Sequence, residues 1–391
     1  MKIRTFLAAL IAASILPVVG TAQEGGLPFD FQNRLRVEFD DNVRQTDNNT
    51  DSSAVIIEEF QVGKSLTFEQ TKLSASYSPS FRYYTDRDED DSDLHHLFDI
   101  SILHDVNDRL SLSAANAFRY AEQPELMGTF LGETTVVRNN NDFTYNSANL
   151  GADYGLTEVT TLGLEYRNVL LGYEDSAAGD ALDYAQNVIG ADLMYDLEQN
   201  TTVGGEVRLS DWDYEDDGRD ASSIQVGAVG ERVFSDILSG RVRAGLESKD
   251  FDNANSSSSE SPYVDGAFLI TPSDRSAINF GVNYSMSESS VAGYANQNRA
   301  SLYAGLDQEL SPRIMLGLGA NYALGEYDLD EAAEGVDQDG DENVFLLSSR
   351  LSYEINELHA VEANFQHSTI DSDVGADYDQ NRVSLGWRLS L

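Results

Sequence analysis

The side chains that could carry chemistry in this chain are carboxylates, arginines and a few histidines. Cysteine is absent, so no disulfide, thiolate nucleophile or cysteine-based metal site can form. The chain has 67 acidic and 25 basic residues, which gives a formal charge of −42. Nucleic-acid binding needs a basic surface that replaces phosphate counterions, so we predict no nucleic-acid partner.

Ten arginines lie within segments that alternate apolar and polar residues, on the face opposite the apolar one. Glu38, Glu165, Glu206 and Glu354 fall on the same faces, which favours cross-strand ion pairs that hold a wall rigid. The alternative is a ladder of positive charge that screens anionic solutes, and both interpretations can hold together. The predicted pore-lining arginines are Arg34, Arg36, Arg82, Arg119, Arg167, Arg208, Arg241, Arg243, Arg350 and Arg388.

The acids concentrate in polar segments between these alternating stretches, near 86–93, 211–220 and 326–342. Carboxylates there keep a rim soluble, or they collect divalent cations and bridge to lipopolysaccharide phosphates. The run 337–342 is similar to a calcium loop, but Gly340 stands fourth and not sixth. We therefore predict no metal site.

The histidines form no recognisable catalytic set. The chain has five, and all fall in or beside predicted strands: His95, His96, His104, His359 and His367. His96 and His104 share the parity of the apolar face of their strand. No spacing selects a Ser-His-acid triad from the many serines and aspartates. We predict no catalytic residue, no cofactor and no enzymatic activity.

A two-residue alternation defines the elements that must position these side chains. Between Leu73 and Tyr84 the odd positions are mainly apolar, whereas most even positions are serine. This period is typical of a strand with two different faces, and it recurs up to 383–391. Each copy is about as long as the 9–11 residues of a membrane-crossing strand. No segment after the N-terminus approaches the roughly 20 apolar residues of a membrane helix.

Short turns alternate with long polar loops along the chain. Turns lie near 69–70, 107–108, 157–158, 199–200, 235–236, 272–274, 311–312 and 356–357, and loops near 40–54, 85–93, 121–141, 171–187, 214–222, 249–261, 287–297, 326–342 and 370–379. Propeller blades have a similar repeat length, but they would not need one set of loops to be consistently long and acidic. We predict an all-β fold, a transmembrane antiparallel up-and-down β-barrel of about 18 strands with long acidic extracellular loops.

The two ends carry targeting patterns. Lys2 and Arg4 precede an apolar stretch that ends in small residues, which predicts a signal peptide over 1–22, a short lead over 23–30 and the barrel over 31–391. Such a lead is too short for a plug domain. The last residues resemble the assembly signal of outer-membrane barrels through Gly386, Trp387, Leu389 and Leu391, with Leu391 where an aromatic is commonest. The predicted location is the cell outer membrane, and the predicted partners are outer-membrane lipid, lipopolysaccharide and the barrel-assembly machinery.

The third outer loop, 121–141, differs from the others because it is apolar and short of acid. It carries the constriction-loop candidates Leu126, Met127, Phe130 and Leu131. Apolar side chains in an outer loop seek burial, so the loop either folds into the lumen, packs on the rim or contacts another subunit of a homo-oligomer. Aromatic residues near the outer strand ends are expected at the lipid headgroups: Phe39, Tyr83, Tyr120, Tyr173, Trp212, Tyr214, Tyr263 and Tyr322. The alternative, for those that face the lumen, is a stacking platform for sugars.

Two short motifs lie in the first quarter of the chain. Phe39-Asp40-Asp41-Asn42-Val43 follows the first strand, and Tyr83-Tyr84-Thr85-Asp86 closes the third. Both motifs resemble those of outer-membrane β-barrel porin families. Some members of these families are encoded beside exopolysaccharide genes. The resemblance implies a channel-like outer-membrane role whose substrate is usually undefined. The strand number, the arginine-bearing polar face and the short lead favour passive diffusion of small hydrophilic solutes or ions. The alternative is a structural or accessory barrel in an envelope or exopolysaccharide-export assembly.

Overall fold

The computed structural model describes residues 29–48, 50–87, 91–121, 126–130, 133–136, 142–174, 182–215, 219–252, 258–289, 291, 294–329 and 339–391. The predicted signal peptide lies outside these residues. Almost every alternating stretch of the sequence forms a long strand, because alternation gives the strand one apolar and one polar face.

Eighteen strands form one sheet, and two more form a separate hairpin. The hairpin consists of β6 (Leu126–Phe130) and β7 (Glu133–Val136). The strands of the sheet are β1 (Asp30–Asp40), β2 (Ser53–Thr67), β3 (Thr71–Tyr84), β4 (Ser92–Asn107), β5 (Leu110–Ala121), β8 (Phe143–Gly155), β9 (Thr160–Tyr173), β10 (Tyr184–Glu198), β11 (Thr201–Tyr214), β12 (Ala221–Ser235), β13 (Leu238–Phe251), β14 (Ser259–Ser273), β15 (Ser276–Glu288), β16 (Tyr294–Ser311), β17 (Ile314–Leu329), β18 (Gly340–Glu354), β19 (His359–Ser372) and β20 (Tyr378–Ser390).

The sheet closes into a barrel because its first and last strands pair. β1 runs antiparallel to β20, with Leu35 opposite Trp387. Phe31 and Leu391 also exchange backbone hydrogen bonds of 3.2 and 2.8 Å. Closure pairs the backbone of both terminal strands and leaves no sheet edge. The predicted antiparallel barrel and its strand number are confirmed.

The register assigns each side chain to one of two faces, since directly opposed residues point the same way. One face carries exposed apolar side chains, such as Leu150, Ile189, Leu246 and Leu385. It is the lipid-facing surface, and the opposite face, which carries the arginines, lines the lumen. The described residues include no helix with the length and apolar character needed to span a membrane.

The outer end of the lumen holds small apolar cores. Phe143, Tyr173 and Leu182 are buried in one cluster, and Trp212 and Tyr214 are buried in another. The expectation of a lipid-facing position was therefore wrong for Tyr173, Trp212, Tyr214 and Tyr263, which lie on the lumen face. Phe39, Tyr83 and Tyr322 are exposed on the lipid face. The aromatic character of a strand end does not fix its face, because one position along the strand reverses it.

Tyr263 lies in a row of four lumen-facing residues that come from four adjacent strands. Tyr263, Gly245, Gly227 and Glu206 are successive partners on β14, β13, β12 and β11. A Cβ on Gly245 would lie 2.6 Å from Tyr263 Cε1, and one on Gly227 would lie 2.0 Å from the Tyr263 hydroxyl oxygen. The two glycines thus let the ring lie flat on the wall, and its hydroxyl donates to Glu206 Oε1 at 2.7 Å.

We expect Gly227→Ala to destabilise the barrel by about 1–3 kcal/mol, because the added methyl collides with the tyrosine. The measurement is the temperature at which the folded, fast-migrating band is lost on unboiled gels. Gly230→Ala is the control on the same strand, since nothing lies within 4 Å of a Cβ there. Equal midpoints for the two variants would show that the packing of Tyr263 over Gly227 adds no stability.

Candidate channel lumen

All ten arginines singled out in the sequence lie on the lumen face of their strands. The register pairs Arg34 with Arg388 across the β1–β20 seam and places Arg208 beside Gln225 on the inward side of β11 and β12. The structure also places Lys249, Arg299 and Arg382 on this face. Sequence analysis missed these three, although the same parity rule applied to their strands would have identified them.

Glu206 is the centre of the most tightly connected charge network. Its carboxylate lies 2.7 Å from Arg208 Nη1 and 3.1 Å from Arg243 Nε, and its side chain is 2% exposed. Arg208 also contacts Glu165, and Arg241 lies 3.3 Å from Glu231. Such bidentate and shared pairs fix guanidinium orientation. On β9–β13, therefore, the arginines are held against the wall.

A second network joins the two ends of the chain. Arg34 lies 3.0 Å from Glu59 on β2 and 3.6 Å from Glu362 on β19. Arg36 shares Glu59 at 3.8 Å, and Arg388 shares Glu362 at 3.3 Å. The two glutamates sit between three arginines, so the repulsion of the directly opposed Arg34 and Arg388 is offset. This network braces the seam where the barrel closes.

Arg119 and Arg350 differ from the arginines of both networks. Within the described parts of the chain, neither has a carboxylate oxygen within 4 Å. Arg119 lies on β5 and Arg350 on β18, where it is exposed to the lumen. Arg119 is half-buried. The positive charge of these two arginines is therefore not offset by an ion pair within the described residues.

The third outer loop reaches the far wall of the barrel. Its strand β7 comes within 8 Å of β15, measured between Cα atoms. The loop leaves the wall between β5 and β8, and β15 is many strands away in either direction around the sheet. Of the constriction candidates, Leu126, Met127 and Phe130 belong to β6, but their side chains and all of Leu131 lie outside the described residues.

The wall beside this contact is covered. Gln297, Arg299 and Ser301 face the lumen from the outer half of β16, and each is at most 4% exposed. A water-filled lumen would leave such side chains exposed. The low exposure indicates that protein lies over them, as expected beside a loop that crosses the barrel.

Histidine is almost confined to the lipid-facing surface. His96 hydrogen-bonds the Tyr77 hydroxyl at 2.7 Å, His104 bonds Thr71 at 2.9 Å and His367 bonds Asn381 at 3.0 Å. His359 stacks on Trp387 with ring centres 5.5 Å apart. Among the described strands, His95 is the one histidine on the lumen face. In those residues no group of three or more metal-ligating side chains is arranged to hold an ion.

Three of the proposed assembly-signal residues lie on β20, and Leu391 directly follows that strand. Trp387 and Leu391 are exposed on the lipid face, and Leu389 shares their parity. Gly386 faces the lumen, where an added Cβ would lie 2.8 Å from Arg36 Cβ. This glycine therefore has a packing role at the seam, and the assembly role of the four residues stays a prediction.

A family model described as "Putative beta-barrel porin 2" matches residues 32–391, nearly the whole wall. The outer membrane protein OpdK of Pseudomonas aeruginosa is 14% identical over 93% of this chain and 99% of its own, with a TM-score of 0.48. OccK2 (OpdF) of the same organism is 13% identical over 93% and 98%, with a TM-score of 0.49. OccAB3 of Acinetobacter baumannii is 13% identical over 93% and 99%, with a TM-score of 0.46. None of the curated proteins matches this chain.

We expect Glu206→Gln to cost about 3 kcal/mol, because it leaves Arg208 and Arg243 without their shared charge. Glu165→Gln is the matched control. Its side chain is 45% exposed, so the loss there should stay below about 1 kcal/mol. The midpoints of thermal unfolding in detergent measure both. A Glu206 variant as stable as the Glu165 variant would show that the network does not brace the wall.

Proposed function

Because this chain belongs to the putative β-barrel porin 2 family, we propose that its barrel passes small hydrophilic solutes or ions through a lumen narrowed by the third outer loop. The protein is an outer-membrane β-barrel channel of the porin type. The observation that carries the narrowing is the approach of β7 to β15 across the barrel. A loop that crosses the lumen reduces the open cross-section and sets the size of the largest solute.

The charges along the lumen suit hydrated solutes better than apolar ones. Most of the pore-lining arginines are paired with carboxylates, which supports a rigid polar wall. Arg119 and Arg350 add positive charge to that wall that no ion pair among the described residues offsets. We propose that these two arginines moderate the cation preference that the acidic chain otherwise imposes on the channel.

We also propose that transport involves no catalytic step. The described histidines other than His95 face lipid, where they cannot meet a solute in the lumen. Passive diffusion needs only a path and a polar lining. The lumen side chains that are paired in the two networks form part of this polar lining.

Reconstitution into planar bilayers should give open-channel conductance, and deletion of residues 125–134 should raise the single-channel conductance at least twofold. The reason is that the deletion removes the hairpin that crosses the lumen. Shortening another outer loop by residues 254–257 is the control and should change conductance little. A folded wild-type barrel that never conducts would contradict the channel, whereas an unchanged conductance after the 125–134 deletion would contradict the narrowing.

Neutralising Arg119 and Arg350 together, each to glutamine, should move the reversal potential in a salt gradient toward cation preference. The control is the double variant Arg109→Gln, Arg313→Gln, which removes the same charge from exposed periplasmic turns. This control should shift the reversal potential less. The measurement is the zero-current potential at tenfold different KCl concentrations. Equal shifts in the two double variants would show that net charge, and not the position of arginine in the lumen, sets selectivity.

A further inference from the structure

Two motifs singled out in the sequence meet at the outer end of the barrel. Residues 39–43 span the end of β1 and residues 83–86 span the end of β3, with β2 between the two strands. Val43 of the first motif and Tyr84 of the second are buried in one cluster with two residues of β2. Neither motif belongs to the two charge networks of the lumen, and the conduction proposed above assigns no role to them.

β20 extends further than β1 at the outer end of the seam. β1 ends at Asp40, opposite Arg382, whereas the outer end of β20 is Tyr378. Because backbone groups in a sheet need partners, residues 378–381 would otherwise present a short unpaired edge above the end of β1. This edge lies at the junction between the two ends of the chain.

Side chains that follow β1 take the place of the missing backbone partners. Asp41 N donates to Asn381 O at 3.2 Å, and Asp41 Oδ1 accepts from Asn381 N at 2.7 Å, so a carboxylate replaces a carbonyl. Asn42 Nδ2 donates to Asp379 O at 2.9 Å and so replaces a backbone amide. The pairing of β20 therefore continues beyond the end of β1.

Side-chain hydrogen bonds hold the same segment against β20. Gln380 Nε2 and Arg382 Nε donate to Asp40 Oδ2 at 2.9 and 3.0 Å. Asn381 Nδ2 donates to Asp41 Oδ2 at 2.8 Å. Asp40 and Gln380 are buried. Hydrogen bonds to a carboxylate that is removed from water are stronger than those between neutral groups, so these contacts fix the end of β1 on β20.

Asn42 uses every hydrogen-bonding group that it has. Its Nδ2 group also donates to Thr46 O at 2.8 Å, and its Oδ1 accepts from Thr46 N at 3.1 Å. Its backbone N donates to Asp40 Oδ1 and its backbone O accepts from Gln380 Nε2, each at 2.9 Å. The residue is 1% exposed. An aspartate has the same shape but no donor, so it cannot make these bonds.

The second motif holds the first from the side of β2 and β3. Thr85 N donates to Ala54 O at 3.0 Å, which fixes the end of β3 on β2. Tyr84 and Val43 are buried in the same cluster. Because Val43 directly follows Asn42, its burial beside β2 and β3 keeps Asn42 in place over the end of β20.

We propose that the two motifs form one clasp that locks the outer end of the barrel seam once β20 has paired with β1. This seam clasp consists of residues 40–43, 84 and 380–382. The chain itself connects every other pair of adjacent strands in the sheet, whereas non-covalent contacts alone hold the seam. The ring cannot open at this end without breaking the clasp, so the clasp slows opening. This role does not depend on which solute the channel passes.

Asn42→Asp tests the clasp with a change of equal shape that removes both side-chain donors. We expect the purified barrel, kept in urea at a fixed temperature, to lose its folded, fast-migrating band about tenfold faster than the wild type. Asn48→Asp is the matched control, since it makes the same change on the exposed part of the same loop and should leave the rate unchanged. Equal rates for the two variants would overturn the proposal.

A disulfide just below the clasp distinguishes opening of the seam from a general loss of stability. Phe31 and Leu391 exchange backbone hydrogen bonds, and in an antiparallel ladder bonded and non-bonded pairs alternate. Glu38 and Ser384 are therefore a non-bonded pair, whose Cα atoms are close enough for a disulfide. The chain has no other cysteine.

In the background Glu38→Cys, Ser384→Cys, we expect Asn42→Asp to unfold about tenfold faster than the background alone when the disulfide is reduced. When the disulfide is oxidised, the two proteins should unfold at the same rate, because the seam can no longer open. A faster rate with the disulfide closed would show that Asn42 stabilises the barrel elsewhere than at the seam, which would overturn the proposal.

Asp41→Asn gives the same comparison with a milder change if Asn42→Asp yields no folded barrel. It keeps one of the two acceptors for Asn381, so it should unfold about threefold faster than the wild type. Asp47→Asn, on the exposed part of the loop, is its control. An unfolding rate equal to that of the control would again contradict the clasp.

Discussion

The rest of the structure depends on the satisfaction of backbone hydrogen bonds in a layer that contains no water. Each unpaired amide or carbonyl there costs several kcal/mol, so a sheet can enter hydrocarbon only if it has no edge. The pairing of β1 with β20, extended by the bonds between Phe31 and Leu391, meets that condition. Once the ring is closed, every side chain must face either lipid or lumen. The composition of each strand follows from that choice.

The charge networks are consequences of the same closure. A lumen wide enough to hold water would tolerate unpaired charges, yet Glu206 is almost fully buried and bonded by two arginines and a tyrosine. The second network bridges β1, β2, β19 and β20, where the ends of the chain meet. Covalent continuity supports every other strand junction, but the seam has only hydrogen bonds and these ion pairs. Its reinforcement by three arginines fits that difference.

The two-residue period was sufficient to predict the barrel, the strand number and the face of all ten arginines, because parity is a local property of the sequence. It did not predict the faces of Tyr173, Trp212, Tyr214 and Tyr263. Aromatics generally prefer the headgroup region, but the parity of these four residues within their own strands places them in the lumen. The Glu206 network joins residues of β9, β11, β13 and β14. A local sequence pattern does not show which residues of different strands lie side by side, because that depends on the register between the strands.

The crossing hairpin has a geometric consequence for the outer opening. Because it leaves the wall between β5 and β8 and reaches β15, it is a chord of the barrel. A chord divides a circular mouth into two parallel apertures, one bounded by β8–β14 and the other by β16–β20 with β1–β5. The Glu206 network lies below the first, and the seam network lies below the second. A solute that enters on one side of the hairpin would then pass the charges of the Glu206 network, and one that enters on the other side would pass those of the seam network.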